Sequence, residues 1–214
     1  MQLSSHFHAA VHDGDLVLLD ERAGSYACLP GAGEVVRLTG DASTLEVADP
    51  ALCKDLLRLG VLTPEGAASP RATVRPASAD LLDQLAPPAR AVAAARMAGA
   101  WLAVRGAYRR AAFDDLVAWG RGAALGGCGP AAEIAAASLE FRGLLAWTPR
   151  LGPCLYRSML LLGYLRARGL SASWVFGVQT WPFEAHCWLQ AGEVVLDDHL
   201  EHVCGFTPIL VLAP

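Results

Sequence analysis

The strongest constraint on the fold of this sequence is a change of hydrophobic period at Gly169. Before it, PCLYRSMLLLGYLRAR (153–168) reads as one helix. Pro153 stands at the first helical position, where its missing N–H costs nothing, and Gly169 stops the last turn. After it come the β-rich runs SASWVFGVQ, AHCWLQ and EVVLDD, then a tail FTPILVL. A helix followed by such runs gives an α+β unit with an antiparallel sheet. The uncharged stretch from Gly169 to Phe183 is 15 residues long and holds Gly177, Gln179 and Pro182, too short and too broken to span a bilayer.

Upstream, residues 80 to 146 carry apolar residues at helical spacing, interrupted near Pro87-Pro88. The stretch TPEGAASPRATVRPASAD (63–80) has no apolar period and reads as a linker. The expected layout is an N-terminal module over 1–66, a linker over 67–79 and a C-terminal domain over 80–214. In the module, HFHAAVHDG, DLVLLD and GSYACLP form three strands of a meander, with turns at Asp13-Gly14 and ERAG. GEVVRLTG is expected as a short helix stopped by Gly40. A second helix starts with Asp49 as N-cap and Pro50 in the first turn. It carries Leu52, Leu56 and Leu59 on one face and has Gly60 past its end. So few helices leave this sheet under-covered, with an open edge that accepts an added strand. A merely structural cap is the competing reading.

Composition narrows the function classes. A net charge of −4 and the lack of a basic patch argue against a nucleic-acid partner. The N-terminus has no signal-peptide pattern, and the six cysteines form no CxxC pair. A cytoplasmic protein with reduced thiols is expected, most of them small buried hydrophobes. No metal or organic cofactor is expected. HLEHVC (His199, His202, Cys204) lacks a fourth ligand at a standard spacing. GRGAALGGCGP lacks the Lys-Ser/Thr of a phosphate loop, and GLSAS lacks the glycines of a serine nucleophile elbow. His6, His8 and His12 share a strand parity and read as an exposed face.

One constellation carries chemistry. Cys154 falls in the first turn of its helix, where partial positive charge and unpaired N–H groups favour a thiolate. The same N–H groups can stabilise an oxyanion during acyl transfer. His186 lies in a strand, AHCWL, whose period of two sends His186 and Cys187 to opposite faces, so that with His186 toward the helix Cys187 turns away. A two-residue turn at Ala191-Gly192 pairs Gln190 with Glu193 and sets Asp197 opposite His186. A three-residue loop centred on Gly192 sets Asp198 there instead, and spacing leaves both open. Thiol, imidazole and carboxylate make a complete nucleophile, base and orienter. A core cysteine, a satisfied histidine and a solvated acidic turn are the alternative.

CLYRSMLLLGYLRARGL followed by FGVQTWPFEAHCWLQAGEVVLDD resembles the lasso-peptide B proteins, leader peptidases with a transglutaminase-like cysteine-protease fold. His186 follows Cys154 by 32 residues and precedes Asp198 by 12, in the order and spacing of that family. The N-terminal unit resembles the PqqD-like winged-helix module that captures leader peptides, the RiPP recognition element. The resemblance covers nearly the whole chain, the middle helices only loosely. It implies Cys154 as nucleophile, His186 as base and Asp198 as orienting acid. It implies leader binding along Ser25, Tyr26, Ala27, Cys28 and Leu29, against Leu52, Leu56 and Leu59 of the helix from Asp49. The implied substrate is a lasso precursor peptide, cut at the leader–core junction, whose core a separate ATP-dependent lasso cyclase then closes. Cys187 departs from the family, where a small residue such as Ala is more usual. Two other functions fit the same layout: a non-catalytic scaffold delivering the precursor to the cyclase, and a transferase passing the thioester to an amine.

Overall fold

The structure, a computed structural model, describes residues 1–39, 42–64, 71–88, 90–109, 111–122, 129–148 and 153–214. In chain order the N-terminal part holds β1 (Gln2–Leu3), β2 (Phe7–His12), β3 (Asp15–Asp20), β4 (Ser25–Leu29), a 3-10 turn (Ala32–Glu34), β5 (Val36–Leu38), β6 (Leu45–Val47), α1 (Pro50–Arg58) and β7 (Leu62–Thr63). The rest holds β8 (Ala79–Asp80), α2 (Ala91–Tyr108), α3 (Phe113–Arg121), α4 (Ala131–Leu145), α5 (Cys154–Arg166), β9 (Ser173–Gln179), β10 (Glu184–Ala191), β11 (Val194–Val195), α6 (Leu200–Val203) and β12 (Thr207–Leu212). The chain is therefore a mixed helix-and-sheet protein. No described helix is long and apolar enough to cross a membrane.

β2, β3 and β4 form an antiparallel meander with β4 at one edge. Its first turn has positive φ at both Asp13 (46°) and Gly14 (83°), the backbone that matches the strand twist of a two-residue hairpin. Asp20 closes the second turn by accepting from the N–H groups of Arg22 and Ala23. The helix expected over GEVVRLTG does not form. Val36–Leu38 is a strand paired with β6, Val36 facing Val47. Buried Val36, exposed Arg37 and half-buried Leu38 alternate as the residues of a strand do. The expected stop, Gly40, lies outside the described residues. α1 starts as expected, with Asp49 accepting from the Ala51 N–H at 2.8 Å and Pro50 in the first turn.

Both faces of the meander are covered. Ala9, Leu16 and Leu18 pack with Leu45, Leu56, Val61 and Leu62 under α1. Ala10, Val17 and Leu19 face the other way and join the large core of the C-terminal part, among Leu116, Val117, Phe176, Val178 and Leu210. A buried polar seam runs beside that contact. Glu21 is held bidentately by Arg121 of α3 and accepts from His8 at 2.8 Å. Burial opposes the charge on Glu21, but these two partners hold its carboxyl down at about 2. The face that looked bare in sequence is thus an internal interface.

The five-stranded sheet runs in the order β12-β9-β10-β11-β8, antiparallel except for the β11–β8 pair. α5 lies on one face, backed by α2 and α4 through Met97, Ala100, Val104, Phe141 and Leu144. Residues 71–80, expected within the linker, run along the outer side of β11. Ser78 N–H donates to Glu193 O, Gln190 donates to Arg75 O, and Val74 and Ala77 pack under Trp188 and Phe206. The β10–β11 turn is Gly192-Glu193, pairing Ala191 with Val194 and Gln190 with Val195. That is two residues beyond the register of the two-residue turn expected from sequence and one beyond that of the three-residue loop. Regular pairing ends at Val195, and the two aspartates follow in irregular chain.

Candidate active site

α5 opens with Pro153 as its N-cap in an extended conformation and Cys154 as its first helical residue. The Pro153 carbonyl accepts from the N–H groups of Tyr156 and Arg157, which fixes the first turn. Ser158, one turn along, donates to the Cys154 carbonyl at 3.0 Å and accepts from the Trp174 indole at 2.9 Å. The Cys-Leu-x-x-Ser pattern therefore has a mechanical role. Its serine ties the start of the helix to β9. Cys154 itself is half-buried.

His186 comes from β10. Its cross-strand partner on β9 is Gly177, where an added Cβ would lie 2.8 Å from both Phe206 and the Trp188 ring. Glycine there lets the two rings close around the histidine. Trp188 lies nearly parallel to His186 at 6.1 Å, and Phe206 packs at 5.2 Å. His186 Nε2 donates to Asp198 Oδ2 at 2.5 Å, leaving Nδ1 for the thiol. Asp198 Oδ1 accepts from the His199 N–H, and Oδ2 is also 3.2 Å from His202 Nδ1 and 3.5 Å from Arg157.

Asp197 points elsewhere. Its Oδ1 accepts from the Leu189 N–H at 2.8 Å, while Oδ2 is buried without a partner among the described residues. Burial pushes its carboxyl up to about 6, whereas Asp198, although burial opposes its charge, is held well below the carboxylate range by His186. Adjacent aspartates thus sit in opposite environments, one structural in its bonding and one joined to the imidazole.

The electrostatics of the pair are those of an ion pair. Hydrogen bonding from the Cys187 thiol and from His186 pulls the Cys154 thiol down to about 4, against the effect of burial. Burial alone would lower His186, but its bonds to Asp198 and Cys154 raise it to about 9. Thiolate and imidazolium stabilise each other across the window between those values.

Cys187 is placed otherwise than the sequence suggested. Alternation holds, since Cys187 lies with Leu189 in the large core and Trp188 in the smaller cluster. It is Cys187, however, that faces α5, with its sulfur 3.4 Å from Ser158 Oγ and near enough to Cys154 to lower its thiol. His186 reaches the thiol from the other face of the strand, at the helix's open end. Of the other cysteines, Cys28 and Cys53 are half-buried and Cys204 is exposed, so the expectation of mostly buried thiols fails among the described residues. Cys128 lies outside them.

The proposed binding strand, Ser25 to Leu29, is the β4 edge. Ser25 and Ala27 are exposed, and Tyr26 and Cys28 pack toward the large core. Tyr26 meets Phe183 at 5.7 Å, and burial, with the charges of Cys187 and Cys154 beside it, pushes its hydroxyl up to about 12. Tyr26 of β4 therefore lies near enough to Cys154 to feel its charge. On α1, Leu56 is buried, Leu52 half-buried and Leu59 exposed.

Sequence reading missed His202, Arg157 and Tyr26 as neighbours of the site. Only His202 left a signal, its i,i+4 spacing from Asp198 at the start of α6. Ligand atoms of His186, Asp198 and His202 lie within 4.8 Å of one another and could hold a cation, which would have to replace the two hydrogen bonds converging on Asp198 Oδ2. The HLEHVC run contributes only His202 to that group.

No curated protein and no solved structure matches this chain. The transglutaminase-like superfamily is matched over residues 100–211, more than half of the sequence, from within α2 to within β12, a span that includes the cysteine, histidine and aspartate. The chain belongs to the transglutaminase-like superfamily.

Proposed function

We propose that this protein is a cysteine endopeptidase that removes the leader from a ribosomally made lasso precursor peptide. The observation that carries the reading is the relay of Cys154 at a helix N-terminus, His186 and Asp198, with His186 Nε2 2.5 Å from the carboxylate. The Cys154 thiolate attacks the scissile carbonyl, and N–H groups at the start of α5 stabilise the oxyanion. The His186 imidazolium protonates the departing amine, leaving a thioester on the N-terminal fragment. His186, now neutral, takes a proton from water, which attacks the thioester and restores the thiol. Asp198 holds the ring in the tautomer this requires.

The leader adds as a strand to β4 along Ser25, Tyr26, Ala27, Cys28 and Leu29, where edge position and the exposure of Ser25 and Ala27 support it. Leu52 and Leu59 of α1 supply apolar contact, and Leu56 anchors that helix from beneath. The likeness to PqqD-like recognition modules and to lasso-peptide B proteins, on the motifs quoted above, supports this substrate and a separate ATP-dependent lasso cyclase as the next enzyme. The proximity of Tyr26 to Cys154 supports delivery of the chain from the strand edge straight to the thiol.

The test is Cys154→Ala. Cleavage of the cognate precursor is expected to vanish while leader affinity stays within about twofold, and iodoacetamide is expected to label Cys154 ahead of the other cysteines. Cleavage that persists in the alanine variant contradicts the reading.

A further inference from the structure

We propose that Cys154 and Cys187 close into a reversible disulfide when a hydroperoxide reaches the site, an oxidative modification that disarms the nucleophile and shields it from further oxidation. Cys187 faces the first turn of α5, its sulfur 3.4 Å from the Oγ of Ser158, whose hydroxyl also donates to the Cys154 carbonyl. Cys154 and Ser158 stand one turn apart on the same face of α5, so the sulfur that meets Ser158 Oγ lies beside the Cys154 side chain. Each thiol shifts the other's ionisation. Joining them means bringing the two sulfurs to about 2 Å. Their exposures divide the labour: Cys154 is half-open and Cys187 is 3% exposed, so an oxidant in solvent meets only the first.

Cys154, held as a thiolate, is the sulfur that reacts with peroxide, while burial keeps Cys187 protonated until a sulfenic acid stands beside it. In the first step the Cys154 sulfur attacks one peroxide oxygen. An S–O bond forms, the O–O bond breaks, and the departing hydroxide takes a proton to leave as water, giving a sulfenic acid. In the second step the Cys187 sulfur attacks that sulfur. An S–S bond forms, the S–O bond breaks, and the hydroxyl leaves as water with the Cys187 proton. Two electrons pass from the two thiols to the hydroperoxide, and an exogenous thiol reverses the change.

The chemistry needs only the two thiols; its meaning as regulation rests on the peptidase reading above. The test is hydrogen peroxide on the full-length protein, followed by alkylation and tryptic mass spectrometry without reductant. No Lys or Arg follows Arg168, so Cys187 and Cys204 share one tryptic peptide, and a Cys204→Ser background makes the assignment unique. The expected product joins LGPCLYR (151–157) to that peptide through Cys154 and Cys187, and dithiothreitol releases it. Cys154 found as sulfinic or sulfonic acid with Cys187 still alkylatable overturns the proposal, as does a link from Cys154 to another cysteine. In Cys187→Ala, thiol recovery after peroxide and dithiothreitol is expected to fall at least fivefold, and recovery equal to wild type contradicts the proposal. A disulfide in a protein that cuts no peptide would sink the peptidase reading alone. Cleavage without the disulfide would sink this inference alone.

Discussion

The two sheets of this chain are covered in different ways. The C-terminal sheet has its own helix layer, and its strand β10 is buried on both faces, one under α5 and one, bearing Trp188, under Val203 and Phe206. The N-terminal meander has one face of its own, under α1, and borrows cover for the other from the C-terminal part. A sheet that borrows a face is fixed in orientation by what it borrows. Ala10, Val17 and Leu19 seat the meander on the C-terminal core, and the same seating packs Tyr26 of β4 against the core that Cys154 also borders. The cysteine, histidine and aspartate belong to the self-sufficient part, and the proposed approach of the leader belongs to the dependent sheet.

That division can be broken first at the chemical side. Asp198→Asn is expected to lower the rate of cleavage by about 10²–10⁴-fold, because an amide favours the wrong tautomer of His186. Asp197→Asn is expected to change it less than about threefold, since an amide oxygen still accepts from Leu189. Steady-state kinetics on both variants decides between them. The same pair differs in stability. The Asp197 carboxyl has a folded value near 6, above its unfolded one near 3.8, so the folded state binds more protons between those values. Wild-type stability should therefore fall as pH rises through about 4 to 6 by this group, and Asp197→Asn should flatten that slope in thermal melts.

The second break is at the borrowed face. Leu19 is fully buried at the junction. Leu19→Ala is expected to cost about 2–5 kcal/mol in a denaturant titration of the full chain, from lost burial and the cavity left behind. If the meander were an independent module, the loss would appear as a separate early transition rather than as a shift of the main one.

A pH profile sharpens the picture of the ion pair. The rate should rise through about pH 4 as Cys154 ionises, stay level, and fall through about pH 9 as His186 loses its proton. The two limbs report the pair rather than either residue alone. A single rising limb near pH 8 to 9 would mean an unassisted thiol.

The smallest effect is expected at the strand edge. Ala27→Pro should weaken leader binding by about tenfold in a titration with labelled leader peptide, by removing a ladder donor or bending β4. The full chain is the right object for that measurement, because a separated meander would expose Val17 and Leu19. Unchanged affinity would move the recognition role away from β4.

Much of the chemistry was legible because it is local. Pro153, Gly169 and the apolar run between them define α5 and the address of Cys154, and Asp49-Pro50 define α1. The choice between Asp197 and Asp198 was not legible from spacing. The turn falls at Gly192-Glu193, and Asp198 reaches His186 only after the chain has left the strand. Cys187 was misplaced for a related reason. Alternation separates it from His186, but both faces of β10 are buried and apolar, so nothing in the pattern says which of the two meets the helix. Val36–Leu38 was misread because three residues cannot separate a helical from a strand period. The position of Tyr26 beside the thiol depends on contacts across the whole chain, which no local pattern encodes.

The central claim, a hydrolytic thiol relay fed from a strand edge, is tested most directly by mass spectrometry of the full-length protein incubated with its cognate precursor peptide. The account predicts two fragments, leader and core, whose masses together exceed the precursor by one water, with a leader thioester trapped on Cys154 at early times. An intact precursor despite bound leader would contradict it in favour of a scaffold. A leader joined to an amine, with no free leader acid, would contradict it in favour of a transferase.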